Sequence, residues 1–318
     1  MQYNISRSML TLIFMISGCS VICFNAVASD LRNCVQSGVD VASNNKITEY
    51  PMPWAGEQAG STHELIFQSN SGDFAWVTGQ NYDALAKVTL ATGAMQAFQL
   101  PANSGPHGVA FDEKGQFWVS LEFSGKVVRI DDITGEVLEE IDVQIYPEGS
   151  APINVHPHAI TVGADGQTIW FTGKKTSTIG KINPDKTVEH FQLGSLGAVP
   201  IYLVASPDGN VWGTELQGNK ILKITPAGVV TEYDIPTNNS RPIAVVLAPD
   251  KKSIWFTEEA GHKVAKIDFN GTISEYPVPQ LQPNMILASL AFDDKGNLWT
   301  QSYVNQSDKL PAGPDYII

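Results

Sequence analysis

The side chains best suited to chemistry sit in copies of one phrase. His107 and His158 occupy matching places in "GPHGVAFDEKGQFWVS" (105–120) and "HPHAITVGADGQTIWFT" (156–172). An imidazole can accept a proton near neutral pH or ligate a metal. The phrase returns as "VPIYLVASPDGNVWGT" (199–214) and "RPIAVVLAPDKKSIWFT" (241–257), with Ile201 and Ile243 in the histidine's place. The scaffold therefore does not require a histidine there, which makes His107 and His158 the catalytic candidates. Counting back from Trp76 puts Glu64 at that place in an earlier copy, with His63 just before it. Two imidazoles and a carboxylate can hold a divalent metal, or act as base and orienter. Glu215 and Glu258 each lie three residues after a tryptophan, in "WGTE" and "WFTE", and Glu122 lies one place later in its copy. Glu64, Glu215 and Glu258 are the candidate metal carboxylates. His156, Ile201 and Ile243 are the candidate substrate contacts, the two isoleucines supplying an apolar wall opposite the polar one.

These residues depend on a repeat for their placement. Trp76, Trp118, Trp170, Trp212, Trp255 and Trp299 are spaced by 42, 52, 42, 43 and 44 residues. Periods of that size point to solenoids or propellers. Each tryptophan closes an apolar strand, a turn such as "DEKG" or "SPDG", and a second strand. A third strand follows, as in "GKVVRID" (125–131) or "KILKIT" (220–225), alternating apolar residues with Lys or Arg. A fourth ends the unit, as in "VVTEYDIP" or "TISEYPVP". Four short antiparallel strands per unit predict an all-β, six-bladed β-propeller, with seven blades as the alternative. "KITEYPMP" (46–53) is expected to close the ring as a fourth strand beside "DYII" (315–318), removing two open edges. The tryptophans are expected to pack between blades. The extra length at 142–157 is expected on a loop at one face, and first strands are expected to line a central channel whose mouth takes a small molecule or cyclic peptide.

Composition narrows the partners. A net charge of -13 disfavours nucleic acid and anionic membranes, and suits cations. Residues 1–28 read as a signal peptide, with Arg7 ahead of an apolar run and Ala26-Val27-Ala28 as the cleavage site. Residues 29–45 would be an N-terminal extension and 46–318 the propeller, secreted or periplasmic. The alternative is a lipoprotein anchored through Cys19 in "ISGC". Beyond the signal only Cys34 remains, so no internal disulfide is expected, and no later stretch is apolar enough for a membrane span.

The phrases already quoted, together with "GNKILKITPAGVVTEYDIPTNNSRPIAVV" and "SIWFTEEAGHKVAKIDFNGTISEYPVP", resemble the streptogramin B lyases, also called virginiamycin B lyases. The resemblance covers roughly residues 46–303. It implies a Mg²⁺-dependent lyase that opens a cyclic depsipeptide at its ester bond by elimination. In such a lyase a metal polarises the carbonyl and a histidine removes the α-proton. The family places Arg-Pro-His at one late blade and Glu-Pro-His at the next. Here the first is Arg241-Pro242-Ile243, and "QPNMILASLAF" lacks the second. The surviving Pro-His starts, at His107 and His158, lie in earlier blades. The other readings are a non-catalytic propeller that binds a ligand or protein, and a metal-dependent lactone hydrolase.

Overall fold

The computed structural model describes residues 39–40, 48–50, 52–54, 62–68, 72–304 and 316–318. The expected signal peptide, Cys19 and Cys34 lie outside the described residues. The chain is an all-β, six-bladed β-propeller; its one helical turn among the described residues is the 3₁₀ turn Gln80–Tyr82. The described residues fall into two compact units that meet in sequence between Pro157 and His158.

The first unit opens with β1 (Val39–Asp40) and β2 (Thr48–Glu49), which pair with each other. Its first blade is β3 (Thr62–Phe67), β4 (Phe74–Gly79), β5 (Ala84–Thr89) and β6 (Met95–Gln99). Its second is β7 (Pro106–Phe111), β8 (Phe117–Leu121), β9 (Lys126–Ile130) and β10 (Val137–Asp142). The second unit holds β11 (Pro157–Val162), β12 (Ile169–Gly173), β13 (Thr178–Ile182) and β14 (Val188–Gln192) as one sheet. Next come β15 (Pro200–Ala205), β16 (Val211–Glu215), β17 (Lys220–Ile224) and β18 (Val230–Asp234). Then follow β19 (Pro242–Leu247), β20 (Ser253–Glu258), β21 (Lys263–Asp268) and β22 (Ile273–Pro277). The last sheet is β23 (Met285–Phe292), β24 (Leu298–Val304) and β25 (Tyr316–Ile317).

The C-terminal "DYII" is a third strand, as expected. The N-terminal closing strand is not seen: Thr48–Glu49 pairs with Val39–Asp40, and the last sheet has three strands among the described residues. Tyr50, Met52 and Trp54 instead pack on the first blade's apolar face.

The tryptophans pack as expected. Trp76 lies 5.3 Å from Phe98 and 4.9 Å from Phe117 between the first unit's two blades. Trp212 lies 5.7 Å from Tyr233 and 6.0 Å from Phe269 in the second unit. Such ring pairs add to the area term by about 0.5–1.5 kcal/mol each. The alternating lysines of the third strands have a second use. Lys87, Lys181, Lys223 and Lys266 pair directly across from Trp76, Trp170, Trp212 and Trp255, with Nζ 5.3 to 5.8 Å from each indole. Each ammonium thus covers its tryptophan by a cation–π contact.

Two repeated devices aim the first strands. Their pairing with the second strand slips by a bulge, seen between Thr62 and Leu65, Pro106 and Val109, Pro200 and Tyr202, Pro242 and Val245, and Leu287 and Leu290. Hydroxyls of the second strand take up freed amides: Thr78 accepts from Glu64, Ser120 from Gly108, Thr172 from Ala159 and Thr257 from Ala244. Bulges re-aim side chains in this way beside functional sites.

The second device is a left-handed residue just ahead of the strand: Gly105, His156, Val199, Arg241 and Asn284 all have φ between 55° and 61°. Only glycine adopts this without cost, and a β-branched residue fits it worst. Val199→Asn is expected to stabilise the protein by about 1 kcal/mol and raise Tm by about 2–4 °C in a thermal melt. An unchanged or lower Tm would show that packing of the Val199 side chain outweighs the strain.

Candidate functional site

The first unit brings together three of the candidate side chains, His107, Glu64 and His156, with His63, Glu122 and Gln80. His107 is 1% exposed at the bulge of β7. Its Nδ1 lies 4.0 Å from Glu64 Oε1. Its ring packs at 4.5 Å between centroids against the exposed His63. A ring nitrogen of His107 and a carboxylate oxygen of Glu122 lie within 4.8 Å of one another. Glu122 is 3% exposed, just past the end of β8. Its Oε2 accepts a 2.6 Å hydrogen bond from Gln80 Nε2, and its Oε1 lies 3.6 Å from His156 Nδ1. The His156 side chain stays partly open to solvent.

The 142–157 segment explains how His156 arrives. Ile145 and Ile153 bridge antiparallel and turn the segment back on itself. Asn154 Nδ2 then donates to the carbonyls of Glu122 and Phe123, and Asn154 Oδ1 accepts from the His156 amide. A Cβ on Gly125 would come 2.8 Å from Asn154 Oδ1, so that turn needs glycine for this approach. One amide side chain therefore ties the extra loop to the end of β8 and sets His156 beside Glu122.

Register corrects the assignment of Glu64. Thr62 pairs with Gly79 as Pro106 pairs with Leu121, so His63, not Glu64, is the counterpart of His107. Glu64 matches Gly108, whose amide is likewise held by a second-strand hydroxyl. The β3–β4 hairpin is longer than the spacing used to count back. His63, Glu122 and Gln80 are the residues that counting left out of the site.

The second unit holds the remaining candidates. His158 Nδ1–H donates to the Ile201 carbonyl at 2.9 Å. His158 is 8% exposed and meets Tyr202 edge-on. Ile201 is buried and Ile243 half-buried. Ile243 and Ala288 are fixed through their carbonyls, which accept from Thr214 and Thr257. Glu215 and Glu258 end β16 and β20, fully buried, against Gly218 and Gly261. Burial first, and the neighbouring Glu232 second, push Glu215 up to about 8 despite Lys220. Burial and Glu275 push Glu258 up to about 7 despite Lys263. Metal binding requires deprotonated carboxylates, so a cation at either acid would have to displace its proton.

The first unit also holds the residues that could ligate a divalent cation. It offers carboxylate oxygens from Glu64 and Glu122 and imidazole nitrogens from His107 and His156, and Gln80 orients one carboxylate from behind. Metal-ligating side chains are commonly oriented by hydrogen bonds of that kind.

A model of the virginiamycin B lyase family matches residues 146–309. A virginiamycin B lyase from Nocardia farcinica (strain IFM 10152) is 32% identical over 182 residues, 56% of this chain and 58% of that protein. The match thus spans little more than half of that relative. A solved streptogramin B lyase is 30% identical, with a TM-score of 0.65 over 75% of each chain. A catalytically inactive virginiamycin B lyase from Staphylococcus aureus, solved with quinupristin, is 28% identical, with a TM-score of 0.66 over 76% of this chain and 78% of that one. No helix among the described residues is long and apolar enough to cross a membrane.

Proposed function

The chain belongs to the virginiamycin B lyase family, and from that premise we propose that it opens a cyclic depsipeptide or lactone at its ester by elimination. The observation that carries this reading is the pairing of buried His107 and Glu122 with the more open His63 and His156. The base removes a proton from the carbon next to the one bearing the ester oxygen. That C–H electron pair becomes the new C=C bond, the C–O bond breaks, and the carboxylate leaves. No water is consumed, so the linear product has the substrate's mass.

The chain's residues divide the work by exposure. His107, held by its bulge and facing Glu64, and Glu122, held by Gln80, are fixed side chains suited to a cation. A divalent ion such as Mg²⁺, when bound, would polarise the ester carbonyl. His63, exposed with its ring against His107, is the proposed base. His158, at the matching repeat position with its ring held by the Ile201 carbonyl, is the proposed catalytic histidine of the second unit. The aliphatic Ile201 and Ile243 remain the proposed apolar contacts. Export through the 1–28 segment is part of the same reading.

The test is incubation of the protein and a divalent ion with a panel of cyclic depsipeptides and lactones, followed by chromatography. Ring opening of a depsipeptide or lactone is expected. No opening across the panel would overturn the enzymatic reading and leave the ligand-binding one. That second reading draws its support from Arg241-Pro242-Ile243, where the family pattern has a histidine.

A further inference from the structure

We propose that His107, Glu122 and His156 form a site for a first-row transition ion of the manganese-to-zinc group, taken in preference to Mg²⁺. The inference rests on the reading of this cluster as cation-holding, and it names the cation. Two imidazoles face one carboxylate. His156 Nδ1 is 3.6 Å from Glu122 Oε1, and a His107 ring nitrogen is within 4.8 Å of a Glu122 oxygen. Ligands at about 2.0–2.2 Å from one tetrahedral ion are about 3–4 Å apart, a spacing the His156–Glu122 pair already meets.

The donor chemistry decides the metal. Mg²⁺ demands near-octahedral oxygen ligation and dehydrates reluctantly, whereas imidazole suits zinc, iron and nickel. Two histidines and one carboxylate with open positions make a set that first-row divalent ions occupy. The supports are those of a built site. Gln80 holds the distal oxygen of Glu122 at 2.6 Å, Glu64 stands 4.0 Å from His107 Nδ1, and Asn154 clamps the His156 backbone to Glu122. His107 and Glu122 are buried, which keeps competing water from most of the site, while His156 leaves a route in. The extra loop at 142–157 supplies His156, so this donor set follows from the one long spacing between tryptophans.

The experiment is titration calorimetry of the metal-stripped, tag-free protein with Zn²⁺, Mn²⁺ and Mg²⁺, with the visible spectrum of the Co²⁺-loaded form as a second readout. One equivalent of Zn²⁺ is expected to bind at least about a hundredfold more tightly than Mg²⁺. His107→Gln, Glu122→Gln and His156→Gln should each abolish that site and the Co²⁺ band. Gln80→Ala should weaken it by about ten- to a hundredfold. His190→Gln, on an outer strand, should change nothing. Thermal melts establish that each variant is folded. Mg²⁺ binding as tightly as Zn²⁺, or Zn²⁺ binding indifferent to the three variants, would overturn the proposal. Zn²⁺ binding as expected with no ring opened under any ion would uphold this inference while sinking the lyase reading. Ring opening with Mg²⁺ and no Zn²⁺ site would do the reverse.

Discussion

His107→Ala is expected to lower ring-opening turnover by at least about a hundredfold and to remove divalent-ion binding together with it. His107 is the residue on which the cluster converges: Glu64 faces its Nδ1, His63 packs on its ring, and Glu122 lies within 4.8 Å. Stability should fall much less than activity. Ile201 and Ile243 fill the equivalent place in other blades, so the strand does not need an imidazole to fold. His107→Ile, which copies those blades, is therefore the cleaner variant. It is expected to melt close to wild type and still be inactive. A His107→Ile protein with wild-type turnover would remove the site from the first two blades altogether.

Replacing the buried acids Glu215 and Glu258 by glutamine is expected to flatten the pH dependence of stability above pH 6. In the folded protein these carboxyls hold their protons up to about 8 and about 7. In the unfolded chain they release them near 4.5. Folding therefore takes up protons between those limits. The stability they contribute is fully present below about pH 4.5 and is lost as pH rises through 7 and 8. For two fully buried groups the loss is on the order of a few kcal/mol, and Tm should drop by several degrees between pH 6 and 9. The Glu215→Gln/Glu258→Gln protein mimics the protonated acids and should hold its Tm across that range. The depressed carboxyls of the hairpin turns, such as Asp293 at about 2, act well below this window. A double variant with the wild-type slope would show that neither acid is neutral in the fold.

The blades were legible because three independent signals repeat in register: the tryptophan, the Asp- or Gly-bearing turn before it, and the Lys-alternating strand after it. Each has a separate physical cause, namely packing between sheets, hairpin geometry and cation–π cover. What escaped was whatever depended on loop length. His63 lies 13 residues before Trp76, while His107 lies 11 before Trp118, because the hairpin turns differ in size. Alternation does not report turn length, so Glu64 was placed one residue out. The Glu122–His156 pair was invisible for a related reason. It exists because Asn154 folds a non-repeating loop onto the end of β8, and no periodicity encodes that contact. Glu215 and Glu258 resemble ligands in sequence, yet the fold buries them behind glycines beside other acids. The closing strand is not among the described pairings: Thr48–Glu49 pairs with Val39–Asp40, and Tyr50, Met52 and Trp54 pack on the first blade's core.

The measurement that reaches the central claim most directly is the mass of the ring-opened product formed in ¹⁸O-labelled water. Elimination at the His107 cluster predicts a linear product with the substrate's mass and no ¹⁸O, formed by the wild type and not by His107→Ile. A product heavier by one labelled water, or elimination that persists in His107→Ile, would contradict the account.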